Sequence, residues 1–265
     1  MSLTTVDSRY GKIVVDTNDK YLSRSLIEYG EFSEGEASLF KQLIQPHFTV
    51  LDIGANFGAH TLLFSRLAQE VFCFEPQRYV FDALMQTIKL NDLQNVVAIC
   101  AAICDGKPVK YRDVDTSQEN NFGASSFVGV TEGEDMPTYT LEGLPCHFLK
   151  IDVEGMEMDV LKGAEKMIRE YCPIIYIEND RPDQSDALIA ELESLGYDCY
   201  WDTPPLFNAN NFFGKKENIF PGLASVNMLC VAKGCQMNGV RAKAGDWHKI
   251  FHQNAANVKE KSHET

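Results

Sequence analysis

Acidic residues stand where short apolar runs end. Asp52 lies in "VLDIG", Glu75 ends "VFCFE", Asp152 and Glu154 follow "FLKI", and Glu178 and Asp180 close "PIIYIEND". Carboxylates in such places serve as general bases, as orienting groups for hydroxyls, or as ligands for hard cations. One residue separates Asp152 from Glu154, so a strand continued through both would point their side chains the same way. One would then act as base toward an alcohol while the other orients it, or the two with Glu178 would hold a divalent cation. No histidine sits in these motifs, which weighs against the cation.

The stretch "VLDIGANFGAHT" runs from strand formers through Gly54 and Gly58 into a helical pattern. Such strand–glycine–helix turns often cradle phosphate. Here Asn56 takes the place of the second fingerprint glycine, the one that lets backbone approach a pyrophosphate. Glu75, however, stands 21 residues beyond Gly54, about where an acidic residue accepts both ribose hydroxyls of a dinucleotide. A ribose is expected and a pyrophosphate is not, because the clustered carboxylates repel one. S-adenosylmethionine meets these demands: it carries ribose, adenine, a sulfonium and an ammonium, and no phosphate. Gly54 and Gly58 are expected to let the backbone turn closely beneath its methionine part.

These residues need a scaffold that brings strand ends together. Strand candidates at 49–53, 71–75, 96–101, 148–152, 174–178 and 197–201 are mostly continuous apolar runs, the pattern of buried parallel strands. Helical spacing at 59–68, 79–91, 157–171 and 183–195 separates most of them, with another helix at 33–45 after a strand-like "KIVVD". The alternation predicts a doubly wound α/β sheet with helices on both faces and ligands beyond the carboxyl ends of the strands. Three regions are expected: 1–46 packing on the core, a main domain over 47–232 closed by the strand "SVNMLCVA", and a polar tail over 233–265. In the tail, Trp247, Ile250 and Phe251 could form one face of a docking helix.

Two segments break the rhythm. The polar stretch 107–144 reads as exposed loop or irregular hairpin, with 112–136 a candidate acceptor lid. The segment 201–220, rich in aromatic residues and asparagine, suggests sugar recognition through an apolar ring face and planar amides. His60 opens the helix after the glycine turn, and His147 is expected at the surface.

Composition narrows the classes. At 265 residues and 45% hydrophobic the chain can bury a sizeable core, and its net charge of −14 opposes non-specific attraction to nucleic acid or anionic membranes. No apolar run approaches the roughly 18 residues of a spanning helix, and no basic N-terminal segment precedes an apolar one, so a cytoplasmic location is expected. The eight cysteines include no CxxC pair and read as reduced core residues.

"VLDIGANFGAHT", "FCFEPQ", "FLKIDVEGMEMDVLKGA", "PIIYIEND" and "SVNMLCV" occur in an order and spacing that resembles the FkbM-like family of S-adenosylmethionine-dependent methyltransferases, over roughly 30–231. The resemblance implies a seven-stranded class I methyltransferase (Rossmann-like) sheet, mostly parallel, with its last strand antiparallel and inserted beside its neighbours. It implies O-methylation of hydroxyls on sugars or natural products, with Asp52, Gly54, Asn56, Gly58 and Glu75 at the cofactor. Glu142 in "TYTLEGL" departs from the aspartate frequent in the family. The expectation is therefore an O-methyltransferase for a sugar or glycan-like acceptor, with Asp152, Glu154 and Glu178 as catalytic acids and no nucleic-acid partner. The other reading is a non-catalytic module that keeps the nucleoside pocket for binding or assembly. Acids retained at each strand exit favour the enzyme.

Overall fold

The computed structural model describes residues 3–113, 115–119, 121–122, 130–235 and 238–247. The chain opens with an antiparallel hairpin, β1 (Leu3–Ser8) and β2 (Gly11–Asp16), followed by helices α1 (Leu22–Tyr29) and α2 (Glu34–Leu43). Then comes the expected alternation: β3 (Thr49–Ile53), α3 (Ala59–Leu67), β4 (Glu70–Phe74), α4 (Arg78–Leu90) and β5 (Val96–Ile99). Four short strands follow, β6 (Ala102–Ile103), β7 (Val109–Tyr111), β8 (Glu134–Met136) and β9 (Thr138–Tyr139). The alternation resumes with β10 (Phe148–Ile151), α5 (Glu157–Tyr171), β11 (Ile174–Glu178), α6 (Pro182–Ser194) and β12 (Tyr197–Asp202), and ends in β13 (Asn227–Ala232) and β14 (Val240–Arg241).

The main sheet has the order β14-β12-β13-β11-β10-β3-β4-β5. From β11 to β5 its pairs are parallel, while β13 lies antiparallel between β11 and β12, as the resemblance implied. The eighth strand, β14, comes from the segment expected as a polar tail and pairs with β12 through Tyr200 and Trp201. Of the tail's expected docking face, Ile250 and Phe251 lie outside the described residues. Trp247 packs against the core and donates its indole N–H to the carbonyl of Asn179 at 2.9 Å.

All five residues of β3 are buried, as a central strand requires. Its alternation sends Leu51 and Ile53 toward α5 and α6, where Val160, Leu161, Ile168 and Leu188 complete one core, and Val50 toward Phe40 and Phe64 of α2 and α3 on the other face. The N-terminal hairpin packs on α4, and the Val14 N–H donates to the Thr87 hydroxyl at 3.0 Å. Helix α5 carries Glu157 and Asp159 in its first turn and Arg169 in its last, the charge order that its dipole favours. In the polar stretch, β7 and β8 form the irregular hairpin, and part of the candidate lid lies outside the described residues. All eight cysteines are free, but Cys172 and Cys235 are exposed rather than core. Among the described residues, no helix is long and apolar enough to cross a membrane.

Candidate functional site

A cavity of about 420 Å³ opens beyond the carboxyl ends of β3, β4, β10 and β11, within the size range of small-molecule sites. Of the eight residues singled out from sequence, six line it: Gly54, Asn56, Glu75, Asp152, Glu154 and Glu178. Asp52 and Gly58 do not. Asp52 is fully buried, accepts from the Thr61 hydroxyl at 2.7 Å and lies 3.4 Å from the Lys150 ammonium. It ties β3 to α3 and β10 beneath the cavity floor. Gly58 opens α3 at φ +94°, where a Cβ would come within 2.6 Å of Leu84 on α4.

Gly54 also answers a demand of the fold. At its φ of +83° a Cβ would sit 1.7 Å from the backbone carbonyl oxygen of Asp152. A close approach between the exits of β3 and β10 is therefore enough by itself to demand glycine here. Across the turn the N–H groups are all engaged. Gly54 and Ala55 donate to the Phe74 carbonyl, Asn56 to Glu75 Oε2, Phe57 to Asn56 Oδ1, and Gly58 to the Ala55 carbonyl. No backbone N–H from Gly54 to Gly58 is left for a phosphate.

Glu75 is the turn's organiser. Its Oε2 accepts from Asn56 N–H at 2.9 Å and its Oε1 from Gln77 N–H at 2.8 Å. Burial pushes its carboxyl up to about 7 against the opposing pull of those two bonds.

The three remaining acids converge, though not by strand continuation. Strand β10 ends at Ile151, and Glu154 at φ +56° and Gly155 at φ +102° form a left-handed turn. The Glu157 carboxylate clamps that turn by accepting from the N–H groups of Val153 and Gly155. Asp152, Glu154 and Glu178 consequently bring carboxylate oxygens within 4.8 Å of one another. Arg181 donates to Glu154 at 3.0 Å, and the Lys150 ammonium stands 3.4 Å from Asp152. Burial, then the neighbouring charges of Asp152 and Asp180, raises Glu154 to about 8. Burial with Asp152, Glu154 and Asp180 lifts Glu178 well above the ordinary carboxylate range. Burial opposes the Lys150 charge, but Asp152, Asp52 and Glu36 outweigh it and hold the amine protonated.

Sequence reasoning missed a second polar group on the wall. Glu36, from α2, is 4% exposed and accepts at Oε1 from the Ser33 hydroxyl and the Asn227 amide. Burial raises it to about 7. His60 Nε2 lies 3.6 Å from its other oxygen, and burial with the charge of Lys150 lowers His60 to about 3, so the ring is neutral. The Ser33-x-x-Glu36 spacing was a visible signal of a paired helix start. The segment 201–220 contributes only Leu206 to the cavity. Asn208 and Asn211 spend their amides on Glu31 and on local backbone, so this region plugs the sheet instead of presenting amides to a ligand. His147 is exposed, as expected, with its ring accepting from Thr49 N–H.

The model of the methyltransferase FkbM domain matches residues 52–199, more than half of the chain. The chain belongs to this family. The methyltransferase sdnD of Sordaria araneosa is 26% identical to it, across 58% of this chain and 74% of that protein. Trm5b from Pyrococcus abyssi is similar in structure, with a TM-score of 0.50 at 14% identity, covering 88% of this chain and 56% of that one. The FkbM methyltransferase from Methylobacillus flagellatus has a TM-score of 0.46 at 15% identity, covering 74% of this chain and 50% of that one. At 14% identity the likeness to Trm5b speaks only to the fold.

The methyl donor of this methyltransferase is S-adenosylmethionine. The residues present fit it. Glu36, Glu75, Asp152, Glu154, Glu178 and Asp180 line the cavity against one lysine, Lys150, and the backbone N–H groups from Gly54 to Gly58 are already engaged within the turn. That set suits a ligand with cationic sulfur and nitrogen.

Proposed function

We propose that this methyltransferase methylates a hydroxyl oxygen on a sugar or glycan-like acceptor. The observation that carries this reading is the Asp152, Glu154 and Glu178 group, three carboxylates with oxygens within 4.8 Å of one another on the cavity wall, two of which, Glu154 and Glu178, are raised above the ordinary carboxylate range by burial and by their acidic neighbours. An alcohol is a poor nucleophile, and a carboxylate whose pKa lies near the working pH is the better base toward it. S-adenosylmethionine, when bound, supplies an electrophilic methyl on a good leaving group.

The chain's own residues divide the remaining tasks. Glu75, fixed by two backbone N–H groups, takes the ribose hydroxyls, and Gly54 and Asn56 form the turn beside it. Asp152 is held by Lys150 and Glu154 by Arg181, so these two orient the acceptor. Glu178 has an oxygen with no hydrogen-bond partner among the described residues and takes the hydroxyl proton. Asp52 and Gly58 act from beneath by fixing α3. Tyr21 and Phe32 offer apolar ring faces to a sugar, and Ser225 and Asn227 offer polar contacts.

The test is transfer of labelled methyl from S-adenosylmethionine to a panel of free sugars and glycosides, with matched amines, carboxylates and RNA transcripts alongside. Label in a base-stable ether is expected, and RNA should be poor given the net charge of −14. Label confined to nitrogen, carboxylate or RNA would defeat the proposal. Donor binding with no turnover on any acceptor would favour the binding-module reading.

A further inference from the structure

Nearly every polar side chain on the cavity wall has a partner, and Gln77 is an exception. It is 3% exposed, and neither its Nε2 nor its Oε1 has a hydrogen-bond partner among the described residues. Only its backbone is used, donating to Glu75 Oε1 at 2.8 Å. An unpaired buried carboxamide is unfavourable and needs a reason. Apolar residues that line the same cavity include Pro76, next to Gln77 in the chain, with Val80, Ala101, Ile103 and Phe122. A slot of this kind beside a ribose-binding carboxylate suits a flat base.

We propose that Gln77 reads the adenine of S-adenosylmethionine. A glutamine amide places one acceptor and one donor side by side, which matches a 6-amino group next to a ring nitrogen, the pairing such amides make with adenine elsewhere. The last torsion of glutamine is broad, so the amide can swing from its closed position onto an incoming base. Oε1 then accepts from the amino group and Nε2 donates to the ring, and both orphaned atoms are satisfied. This assignment rests on Glu75 marking the ribose end.

The test is calorimetry with S-adenosylhomocysteine and with its 6-desamino analogue, in which purine replaces adenine. Wild type, Gln77→Leu and Gln77→Met are compared, each checked by thermal melting so that one folded variant suffices. Wild type should lose roughly tenfold in affinity when the amino group is removed. In the variants S-adenosylhomocysteine should bind about tenfold more weakly, and removing the amino group should matter less than about twofold. An equal penalty for the missing amino group in wild type and variants would overturn the assignment, as would variants that bind like wild type. Glu75→Ala separates the two levels. If it binds S-adenosylhomocysteine as tightly as wild type, the ribose end is elsewhere and the Gln77 assignment falls with it; if it binds weakly while the Gln77 variants do not, only the adenine assignment falls.

Discussion

Replacing Gly54 with alanine separates two reasons for the same glycine. If the residue is there for close approach of a ligand, Gly54→Ala should leave stability intact and weaken cofactor binding. The structure says otherwise. An alanine Cβ would stand 1.7 Å from the Asp152 carbonyl oxygen and 2.8 Å from its carbon, where real contacts essentially never fall below 3.0 Å. The obstacle is backbone one residue past β10, which is locked to β3 by parallel pairing at Asp52–Lys150 and Ile53–Ile151 and by the Asp152 N–H donating to the Ile53 carbonyl at 3.0 Å. Holding alanine at φ +83° costs about 1 kcal/mol relative to glycine, and overpacking adds about 1–3 kcal/mol. The total, about 2–4 kcal/mol, is a large part of a typical domain's stability. Urea unfolding should show that loss as a lower midpoint at unchanged slope. Calorimetry with S-adenosylhomocysteine and a turnover assay on the folded fraction should show turnover falling further than affinity, since Asp152 is the residue displaced. Stability within about 0.5 kcal/mol of wild type, with affinity lost, would refute this account and return the glycine to the ligand.

Asp152→Asn should keep cofactor affinity within about twofold and lower turnover by roughly a hundredfold, the order of cost of misplacing an acceptor; equal losses in both would assign Asp152 to the cofactor or the fold. Glu36 and Glu75 are raised from 4.5 to about 7 by burial, so the folded state binds their protons more tightly. Their stabilisation is complete below about pH 4.5 and is lost as pH rises through about 7. The urea midpoint of the ligand-free protein should therefore fall between pH 5.5 and 8, and Glu36→Gln should flatten the fall; a wild-type midpoint that climbs would contradict the burial argument. The preference for S-adenosylmethionine over S-adenosylhomocysteine should grow about tenfold from pH 6 to 9 as the wall acids ionise; a ratio of dissociation constants that stays flat would remove them as the source of selectivity.

Much of the sheet was legible because β3, β10 and β11 are short, mostly apolar runs between turn signals, and α5 has a clear apolar stripe of Val160, Leu161, Ala164 and Ile168. Helix α1 was not, since Ser23, Ser25 and Tyr29 are weak helix formers and its stability comes from Leu22 and Leu26 packing on the hairpin. Motif spacing placed Asp52 and Gly58 near the site but could not tell wall from floor, a matter of depth that only packing decides. Glu36 was invisible as a site residue because tertiary contact alone carries α2 to the cavity. The convergence of Asp152 with Glu154 was read correctly from an incorrect cause: a left-handed turn at a non-glycine residue leaves little trace in sequence beyond the glycine that follows it.

The count of acids overstates the standing charge of the cavity. Asp52 and Asp152 share Lys150, and Glu154 lies against Arg181. Glu36, Glu75 and Glu178 are all shifted toward their protonated forms. Without ligand the wall is therefore much closer to neutral than its composition suggests, which is how so many carboxyls are tolerated together. A cation entering this space favours ionisation of the same groups, so its attraction grows as protons leave. An anionic diphosphate would need those protons to stay, on a turn whose N–H groups are already spent on Phe74, Glu75, Asn56 and Ala55. Once the sulfur had lost its charge, the wall acids would take protons back around a neutral thioether. Acids that favour a cationic donor would on the proposed reading hold its neutral product less tightly, with no movement of the backbone required.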